Sequence, residues 1–378
     1  MTRVTFVSPE PTPYRSPLLD RVAARQGIDL TVIYAARTVA GRTWTVEPRH
    51  RAVFLDGVTV PGLRGVLRHD YPVTPGIWRA LGRSGPDCVV VSGWSTFPSQ
   101  VAIGWCRLLG VPYVLLVESH DAAPKAGWRR WVKETVVPAV VGEAASVLVT
   151  GSLARESVTA LGAAPERVRV FANTIDVEGF GYLADRVATR RDELRAGLGL
   201  VPDDVAVVSV SRLAPEKGVD VLLRAAAGSG LAAIVVGDGP ERGRLERLGR
   251  GLGTRVVFTG DQPLGSVVEA YVAADVFALL SWHEPWGVVV NEAAACGLPL
   301  VLSDRVGAAA DLLRDGENGV LVPAGDVEAS AAALGRLGRD PGLRERMGAR
   351  SRELVQGFGY EPSVDNLLAA VREATASR

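Results

Sequence analysis

The chain has 378 residues, of which 47% are hydrophobic and 22% charged, and its formal net charge is +0. That length suits two domains, and the composition is that of an ordinary globular protein, which excludes a disordered or fibrous chain. The first half is modestly basic and the second modestly acidic, a polarity that suits an anionic acceptor or a weak peripheral membrane contact and is too diffuse for nucleic-acid binding.

The elements alternate from the start. Short apolar runs at 4–7, 29–33, 87–91, 113–117 and 146–150 read as strands, with helical stretches such as 98–109 between several of them, the pattern of a doubly wound parallel sheet. The runs 205–210, 232–236, 256–258, 276–280, 300–302 and 319–322 repeat that rhythm in the second half. Between them, the Arg-rich stretch 185–200 lacks apolar continuity and is the expected boundary, giving a first domain 1–184 and a second domain 200–360. Amphipathic helices follow at 326–337 and 342–355, and a last helix begins near Ser363, after the break at 358–362. No apolar run reaches membrane-spanning length, because Glu134, Pro138 and Glu143 interrupt the longest, and the N-terminus opens without a signal-peptide pattern; a cytoplasmic location is expected. Cys88, Cys106 and Cys296 are widely spaced among apolar neighbours and read as buried thiols, with no metal site implied.

Ligands of open α/β sheets bind beyond the carboxyl ends of the strands, so the loops there are taken in turn. The first, 8–17, is stiffened by prolines and projects Tyr14 and Arg15; an acceptor or phosphate contact and a solvated surface arginine are both open readings. Trp94, in 92–98, offers a ring for a sugar to stack on or a core contact. His120 closes the strand 113–117, where it would meet a sugar hydroxyl or serve as a structural histidine. The stretch 125–133 is basic with two tryptophans and reads as a charged helix face or a membrane-surface contact. In 170–176, Asn173 and Asp176 read as turn-fixing side chains.

The second half is richer in chemistry. Arg212 and Lys217 share one strand-to-helix loop ahead of a helix starting near Val219, and two cations at a helix start suit a diphosphate; the alternative is a surface salt bridge to Glu216 or Asp220. Gly237 and Gly260 end two further strands, where a backbone can approach a ligand closely. In 281–299, Glu284 precedes the turn at Gly287 and Glu292 lies about one turn inside the helix that follows, 288–296. Free amides at that helix start attract phosphate, and the carboxylates accept from sugar hydroxyls. A pair of solvated acids is the alternative.

The run Glu284-Pro-Trp-Gly-Val-Val-Val-Asn-Glu292 and its continuation Ala-Ala-Ala-Cys-Gly-Leu-Pro299 resemble the signature of retaining GT-B glycosyltransferases of family 4. The likeness extends from about Val207 to about Arg350 and takes in Arg212-Leu-Ala-Pro-Glu-Lys-Gly218 and the loop 257–263. It implies a GT-B fold, two Rossmann-like β/α/β domains facing a central cleft, with the segment 361–378 returning to the first domain. It also implies transfer of a hexose-type sugar, with retention and without a metal or other cofactor, from a nucleotide sugar, UDP- or GDP-linked, to an acceptor hydroxyl. The acceptor would be a natural product, a small sugar or polyol, or a cell-surface saccharide. Carried over residue by residue, Arg212 and Lys217 would grip the diphosphate, Glu292 the ribose and Glu284 the transferred sugar, with Trp286, Gly287, Val288, Gly237 and Gly260 completing the donor set. His120 would join the catalytic groups, and Tyr14, Arg15 and Trp94 the acceptor side. Two departures stand out: the proline-rich loop 8–17 replaces a Gly-Gly loop common in the family, and Ala172 and Thr174 replace the proline and glycine of its P-N-G-V-D turn. A sugar-nucleotide 2-epimerase and a non-catalytic sugar-nucleotide binder are the competing classes.

Overall fold

A computed structural model describes residues 1–37, 46–58, 72–118 and 134–376. His120 and the basic stretch 125–133 lie outside the described residues. Two compact units emerge, Met1–Asn173 with Tyr360–Arg378, and Thr174–Gly359.

The first unit is built on seven parallel strands, β1 (Thr2–Ser8), β2 (Ile28–Tyr34), β3 (Arg51–Phe54), β4 (Cys88–Ser92), β5 (Tyr113–Val117), β6 (Ser146–Val149) and β7 (Val168–Val170), in the order β3-β2-β1-β4-β5-β6-β7. Strand side chains alternate between faces. Val89, Val91, Leu115 and Val117 pack on one side with the helices Ile77–Ser84 and Phe97–Leu109. Phe6, Val90, Val114 and Leu116 pack on the other with Leu18 and Leu19 of the helix Ser16–Ala23 and with Val364, Leu367 and Val371. The last three belong to the helix Tyr360–Ala376, which is pinned to the same sheet by Arg169 Nε donating to Glu373 Oε2 at 3.2 Å. That helix starts three residues before the sequence suggests, because Pro362 sits in its first turn, where its missing N–H breaks no helical bond.

The second unit has six parallel strands, β8 (Ala206–Val210), β9 (Ala232–Val236), β10 (Val256–Gly260), β11 (Val276–Leu279), β12 (Leu300–Ser303) and β13 (Gly319–Val322), in the order β10-β9-β8-β11-β12-β13. Val208, Ile234, Phe277 and Leu302 face one helical layer, and Val207, Val235, Ala278 and Val301 face the other.

The sequence boundary needs correction. The stretch read as a linker is part of the helix Val177–Ala188 and the helix Arg191–Gly197, both within the second unit, and the division falls at Asn173. Phe180 and Ala184 are buried in that unit's core. Arginines do the rest of the anchoring: Arg191 reaches Val272 O at 2.9 Å and Asp275 Oδ1 at 2.8 Å, and buried Arg195 reaches Ala273 O at 2.8 Å and Asp275 Oδ2 at 3.2 Å. Asp275 Oδ2 also accepts the Ala206 amide at 2.9 Å. Charged side chains therefore hide a packed segment from a hydrophobicity reading. Removing one partner of such a buried pair strands the others, so Asp275→Ala is expected to lower stability by about 3–5 kcal/mol; a chemical-denaturation loss below about 1 kcal/mol would contradict this clamp.

Candidate functional site

The order of the second sheet locates the site. From β8 the chain winds outward through β9 to β10, then returns to lay β11 against the other side of β8 and continues outward to β13. Loops leaving β8 and β11 thus part in opposite directions and open a crevice at their carboxyl ends. Arg212 and Lys217 lie in the first of these loops, Glu284 in the second.

The two loops touch through their backbones. Lys217 ends the short turn Pro215–Lys217, and Gly218 then caps the helix Val219–Ser229 with φ +63°. A Cβ on Gly218 would lie 2.1 Å from Leu280 O, so only glycine permits this approach. The Trp282 amide donates to Glu216 O at 2.9 Å across the same junction. Lys217 Nζ consequently donates to Glu284 Oε2 at 2.6 Å, with the two side chains only 18% and 16% exposed. Arg212 stands further out, 58% exposed, and its guanidinium bridges to Glu216 Oε1 at 2.7 Å. Exposed pairs of this kind are worth roughly 0–1 kcal/mol, so this one yields readily to a better anion.

The Glu284 loop is held from behind by the residues that follow β12. Glu284 N–H donates to Arg305 O at 3.0 Å, Gly307 N–H to Glu284 O at 2.9 Å, and Ala308 N–H to Trp286 O at 2.9 Å. A Cβ on Gly307 would fall 2.0 Å from Pro285 O. Trp286 departs from the sequence expectation of a donor contact: it is 3% exposed, donates its indole N–H to Asn291 Oδ1 at 3.0 Å and sits 6.0 Å from the Phe358 ring. Its bulk anchors the loop in the core.

Gly287, at φ +95°, opens the helix Val288–Ala295, whose first N–H groups have no partner within the helix. One turn on, Glu292 Oε2 accepts from buried Tyr271 Oη at 2.7 Å. Burial pushes the Glu292 carboxyl up from 4.5 to about 7, against the smaller downward pull of the Tyr271 hydrogen bond. The sign for stability follows from the raised value: this group favours the fold fully below its unfolded pKa of 4.5, and that contribution is lost as the pH rises through about 7. Tyr271 carries no signal in the sequence, since it lies in the last turn of the helix Leu264–Ala273, 21 residues from its partner. Gly237 and Gly260 sit at the ends of β9 and β10, joined by a Gly237 N–H to Gly260 O bond of 2.9 Å.

In the first unit the corresponding switch lies between β1 and β4. Arg15, from the loop after β1, is not a solvated surface arginine. It is 4% exposed, its Nη2 donates to Glu118 Oε1 at 2.5 Å and also to Asn173 Oδ1, and its guanidinium carbon lies 4.7 Å above the Phe171 ring. Glu118 stands out in no sequence pattern, and Asn173 reads there as a turn residue only. A pairing across 103 positions leaves no local pattern, although both partners stand at strand ends that the sequence located. Tyr14 is half-buried in the same loop, and Trp94, after β4, packs against the hydrophobic core.

Among the described residues no group of three His, Cys, Asp or Glu side chains is placed to hold a metal ion, and no helix is long and apolar enough to cross a membrane.

Two wholly parallel α/β units of this kind define the GT-B class of glycosyltransferase folds. Sucrose-phosphate synthase from Thermosynechococcus elongatus shares the fold over 100% of both chains, with a TM-score of 0.78 at 23% identity. HepE from Anabaena, solved in complex with UDP, shares it over 98% of this chain and 99% of its own, with a TM-score of 0.75 at 19% identity. Residues 190–354 match the family described as Glycosyl transferases group 1, and residues 16–174 the Glycosyl transferase 4-like domain. A D-inositol 3-phosphate glycosyltransferase of Acidothermus cellulolyticus is 35% identical over 93% of this chain and 86% of its own. Its counterpart in Kribbella flavida is 36% identical over 68% of this chain and only 62% of its own length. The chain belongs to the group 1 glycosyl transferases.

Proposed function

We propose that this chain transfers a hexose-type sugar from a nucleoside-diphosphate sugar to an acceptor hydroxyl, with retention of the anomeric configuration. The observation that carries the reading is the contact of Lys217 with Glu284 at the carboxyl ends of β8 and β11, beside the start of the helix Val288–Ala295. Arg212, Lys217 and the amides at Val288 grip the diphosphate and offset the charge that grows on it as it leaves, a task cationic side chains and helix amides can perform without a metal. Glu284 takes hydroxyls of the transferred sugar and Glu292 those of the ribose. The departing phosphate oxygen removes the acceptor proton, the route the family resemblance implies, so no separate protein base is assigned. UDP is the first nucleotide to try, supported by the HepE complexes with UDP and UDP-glucose. The names of the relatives specify an inositol phosphate, which supports the polyol part of the acceptor reading.

A thermal-shift panel of UDP, GDP and ADP tests the donor side. A ligand of the native state at about 100 times its Kd adds about 2.7 kcal/mol of stability. One of the three is expected to raise the Tm; no shift with any would count against the assignment.

Glu292 makes binding pH-dependent. Ribose hydroxyls donate into its ionised form, while the free protein holds the carboxyl protonated below about pH 7. Binding therefore has to expel a proton on the acid side, at a tenfold cost per pH unit. UDP affinity is expected to be about tenfold weaker at pH 6 than at pH 8. In Glu292→Gln the dependence should flatten; calorimetry showing the same step in that variant would assign it elsewhere.

A further inference from the structure

Arg15 is an unusual side chain to find buried, and its surroundings give it a purpose. Its backbone follows β1, while its partners follow β5 (Glu118) and β7 (Phe171 and Asn173), so the cluster ties three loops at the carboxyl edge of the first sheet. Thr150 holds the base of Glu118 by donating to its carbonyl at 3.3 Å. Burying an arginine is costly unless it is paired and hydrogen-bonded, and here one nitrogen, Nη1, is buried with no hydrogen-bond partner among the described residues. At the other end the Glu118 side chain is 45% exposed. A rigidly held, accessible carboxylate thus lies beside a guanidinium that is itself shielded from solvent.

We propose that Glu118, oriented by Arg15 and Asn173, is the acceptor-hydroxyl subsite, and that it is built for an uncharged polyol in preference to a phosphorylated one. A hydroxyl can donate, which matches an exposed carboxylate that only accepts. A phosphate monoester offers mainly acceptor oxygens and negative charge, and would face the Glu118 carboxylate while the Arg15 charge is already balanced by it. The inference rests on the transferase reading above and names its acceptor class. It also separates this chain from relatives whose names specify a phosphorylated inositol. Glu118 would be a specificity-determining contact, with Arg15 and Asn173 as positioning residues.

The test is release of nucleoside diphosphate by the full chain from the glucose conjugate of whichever of UDP, GDP and ADP raises its Tm, measured with myo-inositol, glycerol and D-glucose and with the monophosphate of each. The readout is the ratio of kcat/KM for the neutral compound to that for its phosphate. The wild type is expected to favour at least one neutral acceptor over its phosphate by about tenfold or more. Glu118→Gln, which keeps an oxygen for Arg15 and removes the charge, should bring that ratio to about one, and Glu118→Asp should restore the preference for the neutral compound. A ratio insensitive to charge at a single position cannot arise from general damage to the fold. Preference for the phosphates, no stimulation by any neutral acceptor, or an unchanged ratio in Glu118→Gln would overturn the inference. Failure of the protein to bind any of UDP, GDP and ADP by calorimetry would instead remove the transferase reading, and this subsite with it; donor turnover without acceptor discrimination leaves that reading standing and sinks the subsite alone.

Discussion

Replacing Lys217 with alanine is expected to lower sugar transfer by about 10²–10³-fold, the cost of removing one preorganised charge-stabilising donor from a catalytic site. The ammonium is 2.6 Å from Glu284 and mostly shielded from water, which strengthens its field at that point. In the proposed reaction its work grows as the diphosphate departs, so kcat should fall more than the donor KM rises. The variant also leaves Glu284 without its cation, a loss of about 1–3 kcal/mol that a domain of this size tolerates. A circular-dichroism spectrum matching the wild type would separate lost chemistry from lost fold. Near-normal turnover in Lys217→Ala would contradict the placement of the leaving group.

Gly307→Ala is expected to reduce transfer about 100-fold although position 307 contacts no substrate in this account. The added methyl would lie 2.0 Å from Pro285 O, well inside van der Waals contact, and neither side of the clash is a flexible side chain. The bonds joining Gly307 to Glu284 and Ala308 to Trp286 make these two loops one unit, so relief of the clash moves Glu284 and the turn at Gly287 together. A displacement near 1 Å at a catalytic group can cost about 10²-fold in rate. Turnover and UDP affinity should fall together, while the unfolding transition remains cooperative. Wild-type kinetics in Gly307→Ala would show that the brace behind Glu284 does not position it.

Much of this site was legible because the residues that make it are close in sequence. Arg212 and Lys217 share a loop, and Glu284, Gly287 and Glu292 share a turn and the helix it opens. Once the flanking apolar runs are read as strands, both loops fall at carboxyl ends. What the pattern could not supply was the lateral order that sets β8 beside β11, and with it the Lys217–Glu284 contact across 67 positions. Buried apolar strands were found readily; β3 and β7 were not, because Arg51–Phe54 is partly exposed and Val168–Val170 carries Arg169 in place of a continuous apolar run. The stretch 185–200 misled for a related reason, since guanidinium-to-carbonyl bonds replaced the apolar periodicity that marks a packed helix. Trp286 shows the opposite case: the resemblance places it in the donor set, and its burial among core side chains gives it an anchoring role that the motif alone does not reveal.

The decisive measurement is a crystal structure of the full chain with UDP. The diphosphate is expected within hydrogen-bonding distance of Lys217 Nζ and the amide of Val288, with the ribose hydroxyls on Glu292. A diphosphate bound away from the carboxyl ends of β8 and β11, or a ribose that leaves Glu292 untouched, would contradict it.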